Sequence, residues 1–236
     1  MKNNPHIERQ TTPIELSSEA RQASLRIFFG GSFDPPHIGH ALLPAQIADQ
    51  HENAHTIYVP AGRSPFKDSK PTANHHRINM LELATQHTPN TQIWTQELAD
   101  APMNPQQPSY WADTWLIAKQ MNLPGSNRFL IGADQALSMH RWRRYTEFWK
   151  DAMVILRDDA DSADTLIKHL AGLNIWTVED LAHWRSQIVI LPTIDVSSTA
   201  IRDALTNKST RDEPITELDS QVHRYILEHS LYQSTE

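Results

Sequence analysis

Short apolar runs alternate along the chain with longer segments in which apolar residues recur at helical spacing. Runs rich in Ile, Val and Phe predict strands at residues 26–30, 55–60, 91–96, 127–132, 152–157 and 187–192. Helical spacing predicts helices at residues 38–52, 74–87, 110–121, 144–150, 198–206 and 219–229. Continuous apolar runs are typical of strands that helices cover on both sides. The alternation therefore predicts an α/β protein with a parallel sheet of five to six strands and helices on both faces.

Two segments depart from this alternation. Residues 158–186 show the least regular pattern, and we interpret them as an excursion before the last strand. Residues 1–24 are polar and predict a flexible N-terminal tail. The chain has no internal repeat and no interdomain linker, so residues 25–232 are expected to form a single Rossmann-like α/β domain.

Composition restricts the function classes. The 236 residues include 39% apolar residues, enough for a substantial core, and no cysteine, which fits a reducing compartment. No apolar run approaches the roughly 20 residues that span a bilayer, and the polar start lacks the apolar centre of a signal peptide. The net charge of −7 disfavours a nucleic-acid partner. We therefore expect a cytoplasmic protein with small-molecule ligands and no membrane partner; a homo-oligomer remains possible.

One short string, "GGSFDPPHIGH" at residues 30–40, contains three of the seven glycines in the chain. It lies where a predicted strand meets a predicted helix, at the carboxyl edge of the sheet, where α/β folds bind ligands. Gly30 and Gly31 would let a ligand approach the backbone closely. The first turn of the following helix would point its free N–H groups at that ligand, so the string predicts an anion site.

The two histidines of this string add chemistry to the anion site. His37 and His40 are three residues apart, so on a helix they share one face near its positive end. Two imidazoles there suit a phosphate whose charge grows in a transition state. A plainer interpretation is a glycine turn followed by two histidines that cap or pack. The complete string at a strand-to-helix junction favours the phosphate site.

This string resembles the HxGH nucleotide-binding motif of a nucleotidyltransferase superfamily, and specifically that of the nicotinate-nucleotide adenylyltransferases. A second string, "VSSTAIRDAL", is similar to the SSTxIR motif of the same family. Ser198 and Thr199 offer hydroxyls and N–H groups at a helix start, and Arg202 supplies a planar cation for polyphosphate oxygens. The letters HIGH also occur in class I aminoacyl-tRNA synthetases, but this chain is too short and lacks their lysine-rich loop.

A third string, "FLIGADQALSMHRW", resembles the family's GAD segment and the tryptophan that follows it. The resemblance implies that Gly132 and Asp134 lie near the adenosine or the dinucleotide, and that Trp142 stacks on the pyridine ring. As alternatives, Asp134 is only a helix cap and Trp142 only a core residue. Residues 75–84 and 222–232 resemble two further helices of the family, for which we expect structural roles.

Two strings depart from the family pattern. "SPFKDS" keeps Lys67 as a candidate phosphate contact but has phenylalanine where the family usually has histidine. "SYWADTW" replaces the SYT string of many bacterial members. We expect Tyr110, Trp111 and Thr114 to bind the substrate, with the Trp111 N–H available to a pyridine carboxylate. Trp111 with Thr114 also resembles the eukaryotic-type enzymes, which accept the amide as well as the acid; alternatively, Trp111 fills space beside Trp115.

The resemblance implies adenylyl transfer from ATP to nicotinate mononucleotide, which gives deamido-NAD and pyrophosphate in NAD biosynthesis. The expected catalytic residues are His37, His40 and Arg202, and Mg²⁺ is expected to be carried by the ATP phosphates rather than by protein ligands. The expected ATP-binding residues are Gly30, Gly31, Ser32, Phe33, Lys67, Gly132, Asp134, Ser198, Thr199 and Ile201. The alternatives are a dual-specificity or nicotinamide-mononucleotide adenylyltransferase, another HxGH nucleotidyltransferase, and a non-catalytic nucleotide-binding paralogue.

Overall fold

The strands form one parallel sheet in the computed structural model, which describes residues 15–62, 71–100, 108–157, 163–192, 194 and 196–233. The strands are β1 (Leu25–Gly31), β2 (Ala54–Pro60), β3 (Thr91–Ile93), β4 (Ser126–Gly132), β5 (Ala152–Arg157) and β6 (Ile188–Leu191). Their order is β3-β2-β1-β4-β5-β6, and all neighbours are parallel. This is the doubly wound order of Rossmann-like folds, so the predicted α/β sheet is confirmed.

Helices connect the strands. They are α1 (Ser18–Arg21), α2 (Ile38–Ala48), α3 (Asn74–Thr85), α4 (Gln96–Asp100), α5 (Trp111–Gln120), α6 (Ala133–Ser138), α7 (Ala163–Gly172), α8 (Val178–Ser186), α9 (Ser198–Thr206) and α10 (Ser220–Glu228). The predicted helices that correspond to α2, α3, α5, α9 and α10 are confirmed, with differences of a few residues at their ends. In the described part of the chain, no helix has the length and apolar character needed to cross a membrane.

The core lies on both faces of the sheet because successive strand residues point to opposite sides. On one face, Phe28 and Ile131 belong to a cluster of buried aromatic and aliphatic side chains. On the other face, their neighbours Ile27 and Leu130 pack against helix α2 through Ile47. Both faces are therefore covered, which explains the continuous apolar runs of the strands.

A third cluster joins helices α3, α9 and α10 beside the sheet. It contains Met80 of α3, Ile201 and Leu205 of α9, and Val222 and Ile226 of α10, all buried. Because Ile201 and Leu205 lie four residues apart on one face of α9, this packing sets the position of the helix that carries the SSTxIR string.

Residues 163–186 form two helices, whereas the sequence analysis expected an irregular excursion. Helix α7 buries Leu166 and Leu170, which are spaced by four residues. Helix α8 begins with a capping box: the Thr177 side chain accepts a hydrogen bond from the Asp180 N–H, and the Asp180 carboxylate accepts one from the Thr177 N–H, each at 3.1 Å. Both signals are local, and the acidic and polar residues before them masked the helical pattern.

The predicted helix at residues 144–150 is also wrong. The structure has two short 3₁₀ turns there, Tyr145–Glu147 and Trp149–Asp151. Arg144 has a φ of 57°, in the left-handed region, which a continuous right-handed helix does not allow.

The N-terminal segment is docked from residue 16 onward, so the structure differs from the expected tail that reaches residue 24. Leu16, Ala20 and Ala23 are buried. The buried Arg26 guanidinium donates hydrogen bonds to the carbonyls of Ala20 and Ala23, at 3.2 and 3.0 Å. Burial lowers the pKa of Arg26. Ala20 lies in the last turn of helix α1 and Ala23 lies just after it, and Arg26 satisfies both carbonyls in place of water.

We expect Leu16→Ala to destabilise the fold because it leaves a cavity under α1. The change should lower the free energy of unfolding by roughly 2–5 kcal/mol, measured by urea denaturation. Glu15→Ala, at the exposed neighbouring position, is the control and should leave the midpoint unchanged. An unchanged midpoint for Leu16→Ala would contradict the docking of this segment.

Candidate active site

A cavity of about 470 Å³ opens at the carboxyl edge of the sheet. Its walls include Gly30 and Gly31 at the end of β1, Ile131 near the end of β4, and Trp111 at the start of α5. Strands β1 and β4 are neighbours, and the chain connectivity reverses direction between them. This switch point is where doubly wound sheets bind nucleotides.

The two histidines of the GGSFDPPHIGH string lie together at the start of α2. Their rings stack with centroids 3.6 Å apart. The His37 N–H donates a hydrogen bond to Nδ1 of His40 at 3.1 Å. Because Nδ1 accepts this bond, the proton of the neutral His40 ring is on Nε2, which is therefore a donor. The Tyr58 hydroxyl donates to the His40 carbonyl at 3.0 Å and fixes this turn against β2.

Phe33 and Ile201 turn their side chains into the core, so only their backbone atoms can reach a nucleotide. Phe33 is 1% exposed, has a φ of 48°, and packs its ring 5.1 Å from the ring of His40. A Cβ at Gly31 would lie 3.0 Å from the Phe33 ring. The two residues expected to contact ATP therefore support the site from beneath.

Ser32 lines the cavity, and the buried Arg77 holds its backbone. The Arg77 guanidinium donates to the carbonyls of Ser32 and Ala61, at 2.9 and 2.8 Å, and to that of Thr72 at 3.1 Å. Burial lowers the pKa of Arg77, while the charge of Asp34 raises it. Arg77 thus links the loop between β1 and α2 to both ends of the connection between β2 and α3.

Helix α9 is attached to the loop between β1 and α2. Arg202 donates one hydrogen bond to the carbonyl of Asp34 at 2.7 Å and another to the hydroxyl of Thr199 at 3.1 Å. The Ser198 hydroxyl donates to the carbonyl of Pro35 at 2.9 Å. The structure therefore brings the HxGH and SSTxIR strings together, as the sequence analysis expected. Lys67 lies outside the described residues.

The Asp34 carboxylate joins this loop to two further segments. It accepts hydrogen bonds from the Tyr232 hydroxyl at 2.5 Å and from the Thr72 N–H at 3.1 Å. Burial, and then the charge of Asp34, raise the pKa of Tyr232, so the hydroxyl remains a donor. Asp34 therefore bridges the loop between β1 and α2 to the segments that carry Thr72 and Tyr232.

Gly132 and Asp134 lie at the junction of β4 and α6, beside the cavity. Asp134 is exposed and lies in the first turn of α6. A Cβ at Gly132 would lie only 2.7 Å from Asp134 Oδ1. The φ of Gly132 is −81°, so its backbone conformation does not require glycine, and the exposed Asp134 carboxylate could turn aside from an added Cβ.

Trp111 both lines the cavity and packs in the aromatic cluster. Its ring stacks on Trp115 with centroids 6.0 Å apart and lies 5.4 Å from Phe129. A Cβ at Gly30 would lie 2.8 Å from Trp111 Cζ3, so Gly30 makes room for this ring. Trp111 therefore fills space beside Trp115 and also borders the cavity, and its contact with the substrate stays a prediction.

Thr114 differs from its expected role because its hydroxyl donates to a protein carboxylate. Thr114 is buried, and the bond to Glu97 Oε1 is 2.8 Å long. The other oxygen of Glu97 accepts a hydrogen bond from the Gly62 N–H at 3.4 Å. Glu97 is 7% exposed and lines the cavity. Sequence reasoning missed Glu97, for which the only signal was an acidic residue directly after a buried strand.

Trp142 lines the same cavity, and the arginines on either side of it in the sequence line it too. The Arg143 guanidinium lies 5.0 Å above the Tyr110 ring, and its Nη1 is 3.6 Å from Asp113 Oδ2. Trp142, Arg141 and Arg143 all line the cavity, and so does Tyr110. The sequence analysis found the tryptophan and missed both cations.

We expect Gly30→Ala to disturb the packing of Trp111. Because the added methyl group meets the indole ring, the change should cost about 1–3 kcal/mol of unfolding free energy and alter the near-UV circular dichroism of the aromatic cluster. Gly172→Ala in α7 is the matched control, since a Cβ there meets nothing within 4 Å. A Gly30→Ala protein as stable as Gly172→Ala, with an unchanged spectrum, would contradict the contact.

The family model described as cytidylyltransferase-like matches residues 28–204. A Bacillus pumilus (strain SAFR-032) protein, named a probable nicotinate-nucleotide adenylyltransferase, is 30% identical over 207 residues, which cover 87% of this chain and 97% of the relative. The nicotinate-nucleotide adenylyltransferase of Bacillus subtilis (strain 168) is 29% identical, with coverage of 87% and 97%. The fold is similar to that of Plasmodium falciparum nicotinic acid mononucleotide adenylyltransferase complexed with NaAD, with a TM-score of 0.66, 17% identity, and coverage of 89% and 97%.

Proposed function

The chain belongs to the cytidylyltransferase-like family and, within it, to the nicotinate-nucleotide adenylyltransferases, and from this premise we propose that it transfers the adenylyl group of ATP to nicotinate mononucleotide. The products are deamido-NAD and pyrophosphate, in a step of NAD biosynthesis. One observation carries the proposal: the stacked pair His37 and His40 lies at the start of α2, and Arg202 of α9 is attached to the same loop.

The reaction needs no protein nucleophile. The 5′-phosphate of the mononucleotide attacks the α-phosphorus of ATP in line, the bond to the bridging oxygen breaks, and pyrophosphate leaves with the electron pair. The protein supplies position and charge stabilisation. His40 Nε2, as a donor beside the start of α2, suits the non-bridging oxygens of the α-phosphate, where charge develops.

The remaining phosphates suit the start of α9. Arg202 uses two of its hydrogen-bond donors on Asp34 and Thr199, and a guanidinium carries five, so it keeps donors for polyphosphate oxygens. We assign Lys67 to the same phosphates from the family resemblance. Mg²⁺ usually binds through substrate phosphates and keeps several waters, so we propose that it enters with ATP.

The pyridine end of the mononucleotide suits the cavity between α5 and Trp142. Tyr110 provides no side-chain cap for α5, so the first N–H groups of this helix, including that of Trp111, suit an anionic carboxylate. We assign Trp142 to stack on the pyridine ring because it lines the same cavity. Gly132 and Asp134, beside the cavity, are assigned to the adenosine side from the family resemblance.

A second candidate is transfer to nicotinamide mononucleotide as well as to the acid. It draws on Trp111 and Thr114, which resemble the dual-specificity enzymes. Thr114 is buried and is not among the described residues that line the cavity, so its hydroxyl gives no support to amide binding. We therefore place the acid first.

The net charge of −7 and the lack of cysteine favour a cytoplasmic enzyme that acts on small molecules, with ATP and the mononucleotide as its partners.

We expect His40→Ala to lower turnover by a factor of about 10²–10³, because it removes a donor to the charge that develops on the α-phosphate. The measurement is pyrophosphate release with saturating ATP, Mg²⁺ and nicotinate mononucleotide, and circular dichroism checks the fold. His87→Ala, at an exposed position, is the control and should keep wild-type turnover. An active His40→Ala enzyme would contradict the assigned role.

We expect Trp142→Ala to weaken binding of the mononucleotide and not that of ATP. Loss of ring stacking should raise KM for nicotinate mononucleotide roughly tenfold to a hundredfold. Trp142→Phe keeps an aromatic face and should recover most of the loss. Equal rises in both KM values would show instead that the residue supports the fold of the whole site.

A further inference from the structure

The charged side chains on the cavity wall differ in whether a protein partner offsets their charge. Among the described residues, its charged side chains are Glu97, Arg141 and Arg143. Glu97 accepts hydrogen bonds from protein donors, and Arg143 is 3.6 Å from the carboxylate of Asp113. The Arg141 side chain makes no hydrogen bond or ion pair with any residue in the described ranges. It is therefore the cavity cation whose charge the described chain does not offset.

Arg141 occupies a distinctive place next to the stacking residue. It ends the 3₁₀ turn Met139–Arg141, and Trp142 follows it in an extended conformation. Arg141 is exposed and lines the cavity. Its neighbours Arg143 and Arg144 both contact Asp113, so the loop is tethered without the help of Arg141.

A cation on the cavity wall matters because the buried carboxylate of Glu97 lines the same cavity. A substrate carboxylate that enters a partly enclosed cavity beside another carboxylate is disfavoured unless a positive charge offsets it. A guanidinium matches the planar carboxylate with two parallel N–H donors. A carboxamide carries no charge, and a guanidinium cannot accept a hydrogen bond from its amino group.

We propose that Arg141 binds the pyridine carboxylate of the mononucleotide and sets the preference for the acid over the amide. This inference rests on the proposed function and deepens it, because the N–H groups of α5 can bind either substituent and Arg141 discriminates by charge. The side chain is a specificity-determining residue and takes no part in the transfer at the α-phosphate.

The test compares two substrates that share ribose and phosphate and differ only in the pyridine substituent. The quantity measured is kcat/KM for pyrophosphate release with nicotinate and with nicotinamide mononucleotide. Arg141→Gln should lower kcat/KM for the acid roughly tenfold to a hundredfold and leave the value for the amide within about twofold. KM for ATP should stay unchanged. Arg141→Lys keeps the charge and should restore much of the acid preference.

Arg185→Gln, on exposed helix α8 and paired with Asp164, is the control for loss of one positive charge and should change neither value. Equal losses for both substrates in Arg141→Gln would overturn the proposal, because Arg141 would then contact the shared phosphate or support the loop. An unchanged ratio would overturn it as well. A wild-type protein that forms dinucleotide from neither substrate would overturn the proposed function itself.

Discussion

The hydrogen bonds around Asp34 are the constraint on which the rest of the site depends. The Asp34 carbonyl accepts from Arg202, and its carboxylate accepts from Tyr232 and from the Thr72 N–H. Arg202 lies 168 positions and Tyr232 lies 198 positions from Asp34 in the sequence, and these bonds bring all three residues together at one loop. Together with the bond from the Ser198 hydroxyl to the Pro35 carbonyl, these bonds fix the helix start that carries His40 relative to the start of α9.

Close packing beneath the cavity provides the second constraint. Gly30 leaves room for the Trp111 ring, and Gly31 lies against Phe33. Both rings face the buried side of the loop, while the backbone above them faces the ligand space. Gly30 and Gly31 therefore lie where a side chain would collide with a packed ring, and the loop keeps its shape because the core fills the space behind it.

The fold and the helix starts that carry the two strings could be predicted from sequence because their signals are local. Apolar runs mark buried strands, and the two strings mark helix starts at the sheet edge. The charged side chains of the cavity wall could not be predicted, since their arrangement depends on tertiary contacts. Thr114 resembled a substrate ligand until the fold placed Glu97 beside it, and Arg141 gained meaning only from the charges around the cavity. Helices α7 and α8 were not predicted because both are short and nearby polar residues obscure the helical spacing of their apolar residues.

Adenylyl transfer, the central claim, specifies which bond of ATP breaks. ATP that is radioactively labelled at the α-phosphate, supplied with Mg²⁺ and nicotinate mononucleotide, tests it directly. The account predicts that the label appears in a dinucleotide in an amount equal to the pyrophosphate released. Label that stays in ADP while inorganic phosphate is released, or label that never leaves ATP, would contradict it.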